Sequence, residues 1–427
     1  MNRILNGLLL VLIVVLALAL GWTVLDKAGV APPLPVGSPV VVASKINPKN
    51  KNAYLSKDDP SIKATDLGPR KWKIIDIHEH AQGEVEAVEL IKAMDKLGIQ
   101  RTALMASTTY TLTLNPIYGF EGFKENSEAI IAIKKKWPDR FSAFVTFDPC
   151  SGEDNLALVK DWVSRGADGV KLYLGHGATT PRFAFHCQPL NHANLESFYA
   201  WAEDVQLPIL MHVNLEKYWD ELLDVLERHP YLRLTLPHFG LHKNTEQRLK
   251  RLGWLLDRYA NVYTDVSFGH HTFQIDGFEV LSKHRSRSRE FFARYRDKIM
   301  YASDMVLEPS KDQAYIDDTL RSYLQFLEMD YWRFFLVPSQ TMHGMGLDEP
   351  TLSHIYQTAP SNFLLLDAQG MNPDRTKDPK VVVARAPMPP IDLSSIPALG
   401  KKAAPADGTG EVGKSAGCEH EDAANED

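Results

Sequence analysis

The chain has 427 residues and a mass of 48.0 kDa. Hydrophobic residues make up 44% and charged residues 24%, enough to bury a large core. The net charge of -7 argues against general nucleic-acid binding, which needs a basic face. With three cysteines, a disulfide-stapled scaffold or a cysteine zinc cluster is excluded. The 15 histidines are the conspicuous count, because imidazole is the commonest metal ligand and acid/base group.

The first element is apolar. Ile4 to Leu25 has only Asn6 and Thr23 as clear polar interruptions, and as a helix it is long enough for a bilayer core. We expect an uncleaved membrane anchor over 1–27, single-pass, with the rest of the chain on the extracytoplasmic side. The competing reading is a cleaved signal peptide and a secreted or periplasmic product. Residues 28–70 hold seven prolines, Pro32, Pro33, Pro35, Pro39, Pro48, Pro60 and Pro69, and read as an extended linker. At the other end, 371–427 is expected to be an extension with a disordered acidic tail, since 400–427 carries three lysines against seven acids. The Cys418-Glu419-His420 cluster there reads as solvated tail.

Between these ends, 71–370 alternates short apolar runs with amphipathic stretches. Strands are expected at Lys73–Ile77, Arg101–Met105, Phe141–Phe147, Gly169–Leu172, Pro208–Met211, Leu232–Leu236, Val262–Asp265 and Ile299–Ala302. Helices are expected at Val85–Lys96, Asn126–Trp137, Asp154–Arg165, Leu195–Glu203, Tyr218–Arg228 and Thr245–Tyr259. Such alternation means parallel strands with crossover helices. Eight runs suit an α/β fold of the closed (β/α)8 TIM-barrel type. An open doubly wound sheet wants a glycine-rich turn after its first strand, and Asp76-Ile77-His78-Glu79-His80 stands there instead.

Several strands end in ligand-type residues. His78 and His80 are two apart and share a strand face. His212 ends PILMH, His238 follows LTLP, and Asp304 ends IMYASD. Lys171 lies in the fourth strand. In a barrel the carboxyl ends of all strands meet on one face, so four imidazoles and a carboxylate would gather there. That is a donor set for zinc or a similar divalent ion.

DIHEH at 76–80, GVKLY at 169–173, PILMHV at 208–213, LPHFG at 236–240, NVYTDVS at 261–267, YASDM at 301–305 and the closing stretch 346–366 together resemble the amidohydrolase superfamily. Within it they resemble the amidohydrolase-related metal-dependent hydrolases that include aminocarboxymuconate-semialdehyde decarboxylase-like enzymes. The resemblance covers about 72–367. It implies that His78, His80, His212 and Asp304 hold one divalent metal, zinc first, with manganese or iron as alternatives. It places His238 beside the nucleophilic water or the substrate oxygen, with Asp304 as proton acceptor. In binuclear relatives the strand-four lysine is carboxylated and bridges two metals, so Lys171 is either that bridge or a substrate-positioning group. The expected activity is hydrolysis of a small amide, ester or lactone. The alternatives are decarboxylation or another lyase reaction on an unsaturated or aromatic acid, and a catalytically inactive tethered binding barrel.

Secondary candidates follow from position. His176, Arg182 and His186 lie in the loop after the fourth strand, and Arg182 reads either as a grip on a substrate carboxylate or as a solvated loop arginine. His270 and His271 follow the seventh strand and are candidates to line the same pocket, the alternative being that one of them satisfies local backbone. His242 reads as surface, His229 as a helix C-terminal cap, and His284, His343 and His354 as structural. Cys150 and Cys187 follow neighbouring strands, either as a disulfide or as two unrelated thiols. Tyr331–Phe335 is expected as helix core, and the basic run His284–Arg289 as a solvent-facing helix start that also suits lipid headgroups or anionic partners. The partners expected are a small-molecule substrate and a membrane, not nucleic acid; a homo-oligomer is compatible with the sequence.

Overall fold

The computed structural model describes residues 67–68, 70–109, 111, 119–175, 188–241, 246–375 and 395–397. The expected anchor, most of the linker and the acidic tail lie outside the described residues. So do His176, Arg182, His186, His242, Cys187, Cys418 and His420. Among the described residues no helix is long and apolar enough to cross a membrane.

Eight parallel strands run in sequential order: β1 Ile74–Glu79, β2 Ile99–Met105, β3 Phe141–Thr146, β4 Gly169–Gly175, β5 Ile209–Val213, β6 Leu234–Leu236, β7 Val262–Asp265 and β8 Ile299–Met300. The ring closes between the last strand and the first. Ile77 N–H donates to Tyr301 O at 3.1 Å, Asp304 N–H to His78 O at 2.7 Å, His80 N–H to Met305 O at 3.0 Å and Leu307 N–H to His80 O at 2.8 Å. The protein is a (β/α)8 barrel. Helices Glu84–Leu97, Phe123–Lys136, Asn155–Ser164, Glu196–Asp204, Trp219–Arg228 and Glu246–Arg258 match the expected ones to within a few residues.

Nearly every strand residue is buried, as a parallel sheet covered on both faces requires. Two apolar layers result. The inner one joins Ile75, Ile77, Ala103, Met105, Phe144, Leu210, Tyr263, Met300 and Ala302 along the axis, with Phe363 and Leu364 of the closing helix in the same cluster. The outer one lies between strands and helices and includes Leu104, Val145, Leu172, Met211 and Leu236.

One local irregularity decides where the first-strand histidines point. Ile75 and Ile77 face the axis, so strict alternation would send His78 and His80 outward. Instead Asp76 pairs with Thr102 and Glu79 with Leu104. Three steps on β1 thus match two on β2, which is a β-bulge. The extra residue inverts the phase. Asp76 and Glu79 both turn to the outer face, and the histidines turn in.

The aromatic run Tyr331–Phe335 corrects the helix expectation. Tyr331–Trp332 is a short strand, β9, paired antiparallel with β10 at Met342–His343. Adjacent Tyr and Trp favour a pleated surface, and Trp332 and Phe334 are buried, so the core part of that reading holds. Past residue 370 the chain stays on the barrel: Asn372 accepts from Arg101 at 3.1 Å and Arg375 donates to Gln206 O at 2.9 Å.

Candidate metal centre

Six of the predicted side chains converge at the carboxyl ends of the strands. The Asp304 carboxylate is the hub. Its Oδ1 lies 3.1 Å from His78 Nε2 and 3.2 Å from His80 Nε2, and its Oδ2 lies 3.3 Å from His238 Nε2. His212 Nε2 is 3.1 Å from His238 Nε2. Lys171 Nζ stands 3.0 Å from both His78 Nε2 and His212 Nε2. All six residues are buried.

The neighbouring groups fix how these rings are protonated. His78 Nδ1 is 3.1 Å from the Asp265 carboxylate, and a carboxylate accepts, so Nδ1 carries the hydrogen and Nε2 presents a lone pair. His238 Nδ1 is 2.9 Å from Ser267 O, which also only accepts. Ser267 Oγ gives its own hydrogen to Asp265 at 2.6 Å and lies 2.9 Å from the same Nδ1. Neutral His238 therefore presents a lone pair at Nε2 as well. Burial holds His78 and His80 below the ordinary imidazole range and takes His238 down to about 4. Burial alone would raise the Asp304 carboxyl, but in their protonated forms His78, His80 and His238 around it more than offset this and hold it well below the usual carboxylate range.

One atom each of His78, His238 and Asp304 lies within 4.8 Å of the others. Two lone pairs and a carboxylate facing one another in a dry site repel unless a cation lies among them. The donor set therefore fits a divalent metal. Lys171 supplies one positive charge nearby, but burial lowers its pKa to about 8, against the pull of Asp304 and Asp265.

Backbone geometry is specialised at the same points. His238, Phe239 and Gly240 are consecutive left-handed residues, with φ of 58°, 54° and 74°, and Asp304 has φ of 52°. For residues with a Cβ each such conformation costs about 1–2 kcal/mol. The strain is held by hydrogen bonds from His238 N–H to Asp265 at 3.0 Å and from Asp304 N–H to His78 O. Two glycines allow close approach. A Cβ on Gly175 would meet His212 O at 2.1 Å, and one on Gly269, whose φ is +67°, would meet Asp304 Oδ2 at 2.7 Å.

Residues 75–332 match the amidohydrolase family profile. The chain belongs to the amidohydrolase-related family. Solved structures similar to this chain include a probable 2-pyrone-4,6-dicarboxylic acid hydrolase from Acinetobacter baumannii, at 14% identity over 69% of this chain and 100% of that one, TM-score 0.46. A 2,6-dihydroxybenzoate decarboxylase from Rhizobium matches at 14% identity over 69% and 99%, TM-score 0.40. A 4-oxalomesaconate hydratase from Rhodopseudomonas palustris matches at 14% over 68% and 95%, TM-score 0.43. No curated protein matches the chain.

Sequence reasoning missed the supports of this candidate site. Asp265 joins His78, His238 and Ser267, and Ser107 Oγ lies 3.1 Å from His80 Nδ1. Asp265 ends β7, so the strand-end criterion that found Asp304 also picks it out. On the outer face Asp76 accepts from His78 N–H at 3.0 Å and from Ser303 at 3.1 Å, and Glu79 accepts from Met305 N–H at 3.0 Å. Burial pushes Asp76 up to about 8 and Glu79 well above the carboxylate range, so these acids hold the β1–β8 seam rather than a metal. His271 is half-buried, its ring centroid 3.8 Å from that of His270 and two residues past Gly269. His229 caps its helix and bonds Glu196 at 3.0 Å. Cys150 is disulfide-bonded; the two remaining cysteines, Cys187 and Cys418, lie outside the described residues.

Proposed function

We propose that this amidohydrolase-related barrel hydrolyses a small amide, ester or lactone with one divalent ion, zinc first, held by His78, His80, His212 and Asp304. The observation that carries the reading is the convergence of the His78 and His238 lone pairs on the Asp304 carboxylate. When bound, the ion supplies Lewis-acid polarisation and makes water nucleophilic near neutral pH.

The chain's own residues then have defined work. Asp304, ionised in its ring of imidazoles, accepts the proton of the attacking water. His238 accepts or relays a proton at Nε2, because Nδ1–H is committed to Ser267 O. In this neutral tautomer it does not donate to a substrate oxyanion from Nε2; it donates only after taking a proton, which suits the leaving group. Asp265 and Ser107 orient His78 and His80.

We extend the reading to location. The barrel is tethered through the apolar segment 4–25 on the extracytoplasmic side; the disulfide at Cys150 supports an oxidising compartment.

The test is metal analysis of the purified protein with a panel of lactones, esters, amides and carboxylated aromatics. About one equivalent of bound metal and hydrolysis of a panel member, both lost in His212→Ala, is the expected result. Carbon dioxide release without water addition would move the protein to the lyase reading, and a metal-free, inactive protein to the binding-barrel reading.

A further inference from the structure

The basic run 284–289 is not used by the metal centre. Its residues 284–287, with Ser282, Lys283 and His343, line an open cavity of about 450 Å³ at the junction of helices His271–Lys283 and Arg285–Arg294. The first of these helices begins beside the metal centre, just after Gly269, and has 13 residues. At about 1.5 Å per residue its far end lies roughly 20 Å from its start, so the cavity opens well away from the barrel mouth.

The lining is strongly one-signed. Lys283, Arg285 and Arg287 bring fixed positive charge, His284 and His343 bring imidazoles, Ser286 brings a hydroxyl, and among the described residues no carboxylate lines the space. The acids nearby stand at the rim: Asp330 pairs with Arg285, and Glu246 is 3.8 Å from Arg287, with both acids well exposed. Arg285 also braces the wall, donating to Gly344 O at 2.6 Å, while Ser282 ties His343 O at 2.6 Å. The wall is thus held in place by its own hydrogen bonds. Its charges repel one another: burial first, then Arg287 and Lys283, depress the His284 imidazole. A bound anion relieves that repulsion.

We propose that this cavity binds the phosphate group of a phosphomonoester. Arg and Lys side chains with a serine hydroxyl are the donor set for a dianionic, multiply accepting oxygen cluster. The space is open to solvent, which leaves room for an organic body attached to the phosphate. That body is either a soluble metabolite or a lipid whose headgroup is a phosphomonoester.

The experiment uses the full chain in its metal-loaded form. Calorimetric titration with glycerol 3-phosphate tests the soluble source, and sedimentation with phosphatidylcholine vesicles, plain or containing phosphatidic acid, tests the lipid source. Saturable binding in either arm, weakening with added salt, is the expected result. Lys283→Gln and Arg287→Gln should each weaken it about tenfold, the loss of one charge-assisted contact. Ser286→Asp is the variant that keeps the fold: an acid in the first turn of a helix is favourable, yet it places a negative charge in the cavity and should abolish binding. His212→Ala should leave binding unchanged, which separates this site from a phosphate on the metal. Absence of saturable binding in both arms overturns the proposal. So does binding that Ser286→Asp and Arg287→Gln leave intact or that His212→Ala removes.

Discussion

The backbone N–H of Asp304 donates to the carbonyl of His78 at 2.7 Å. That bond closes the barrel and sets two candidate ligands side by side in one step. Because Asp304 has φ of 52°, its side chain and its backbone carry separate demands. Asn tolerates the left-handed region far better than other residues with a Cβ. Asp304→Asn should therefore melt close to the parent while turnover falls by about 10²–10⁴, the usual worth of a positioned base. Asp304→Ala should lose the same activity and in addition about 1 kcal/mol of stability. Thermal melts alongside initial rates separate the two; equal melting of both variants would remove the backbone argument.

Gly269 tests the carboxylate's position without touching a ligand. A methyl there would sit 2.7 Å from Asp304 Oδ2 in a residue with φ of +67°. The obstructing atom is the end of a side chain, so the carboxylate rotates while the fold stays. Gly269→Ala should cost about 1 kcal/mol of stability and a much larger factor in kcat, with metal content reduced. Unchanged kcat would show that the Oδ2 position does not matter to the reaction.

The barrel was legible because parallel strands buried on both faces leave continuous apolar runs, and because ligands at strand ends need only the order of the strands to be found. What the sequence hid was phase. Ile75 and Ile77 face the axis, and His78 and His80 do so too only through the extra residue between Asp76 and Glu79. No local residue type announces a bulge that long-range pairing creates. The proton arrangement was hidden for the same reason. Which nitrogen of His238 carries the hydrogen depends on Ser267 O, 29 residues away. The aromatic run at Tyr331 misled because a buried two-residue strand and a helix turn bury the same side chains.

The protonation pattern predicts how the metal-free protein responds to acid. His238 titrates near 4 when folded, against 6.5 for the free side chain. The unfolded chain thus binds more protons between those values, and stability falls as pH drops from about 6.5 through about 4. The displacement corresponds to roughly 3 kcal/mol at full expression. Urea midpoints of chelator-treated protein measured from pH 7 to pH 4 should decline across that window. His238→Asn should make the decline shallower, with His78 and His80, also held low by burial, carrying the rest. A midpoint independent of pH in the parent would contradict a buried neutral imidazole.

Lys171 decides between one ion and two. Its Nζ is 3.0 Å from both His78 Nε2 and His212 Nε2, so in this arrangement the ammonium takes up lone pairs that a metal needs. Its pKa of about 8 makes loss of that proton cheap near neutral pH. With one ion, the lysine competes with the metal, and Lys171→Met should keep about one equivalent of metal and bind it more tightly, with tighter binding most evident below pH 8. With a carboxylated bridging lysine, the parent should hold two equivalents and Lys171→Met should lose at least one. Elemental analysis of parent and variant at matched protein concentration reads the difference directly. The single-ion reading predicts that stoichiometry does not change.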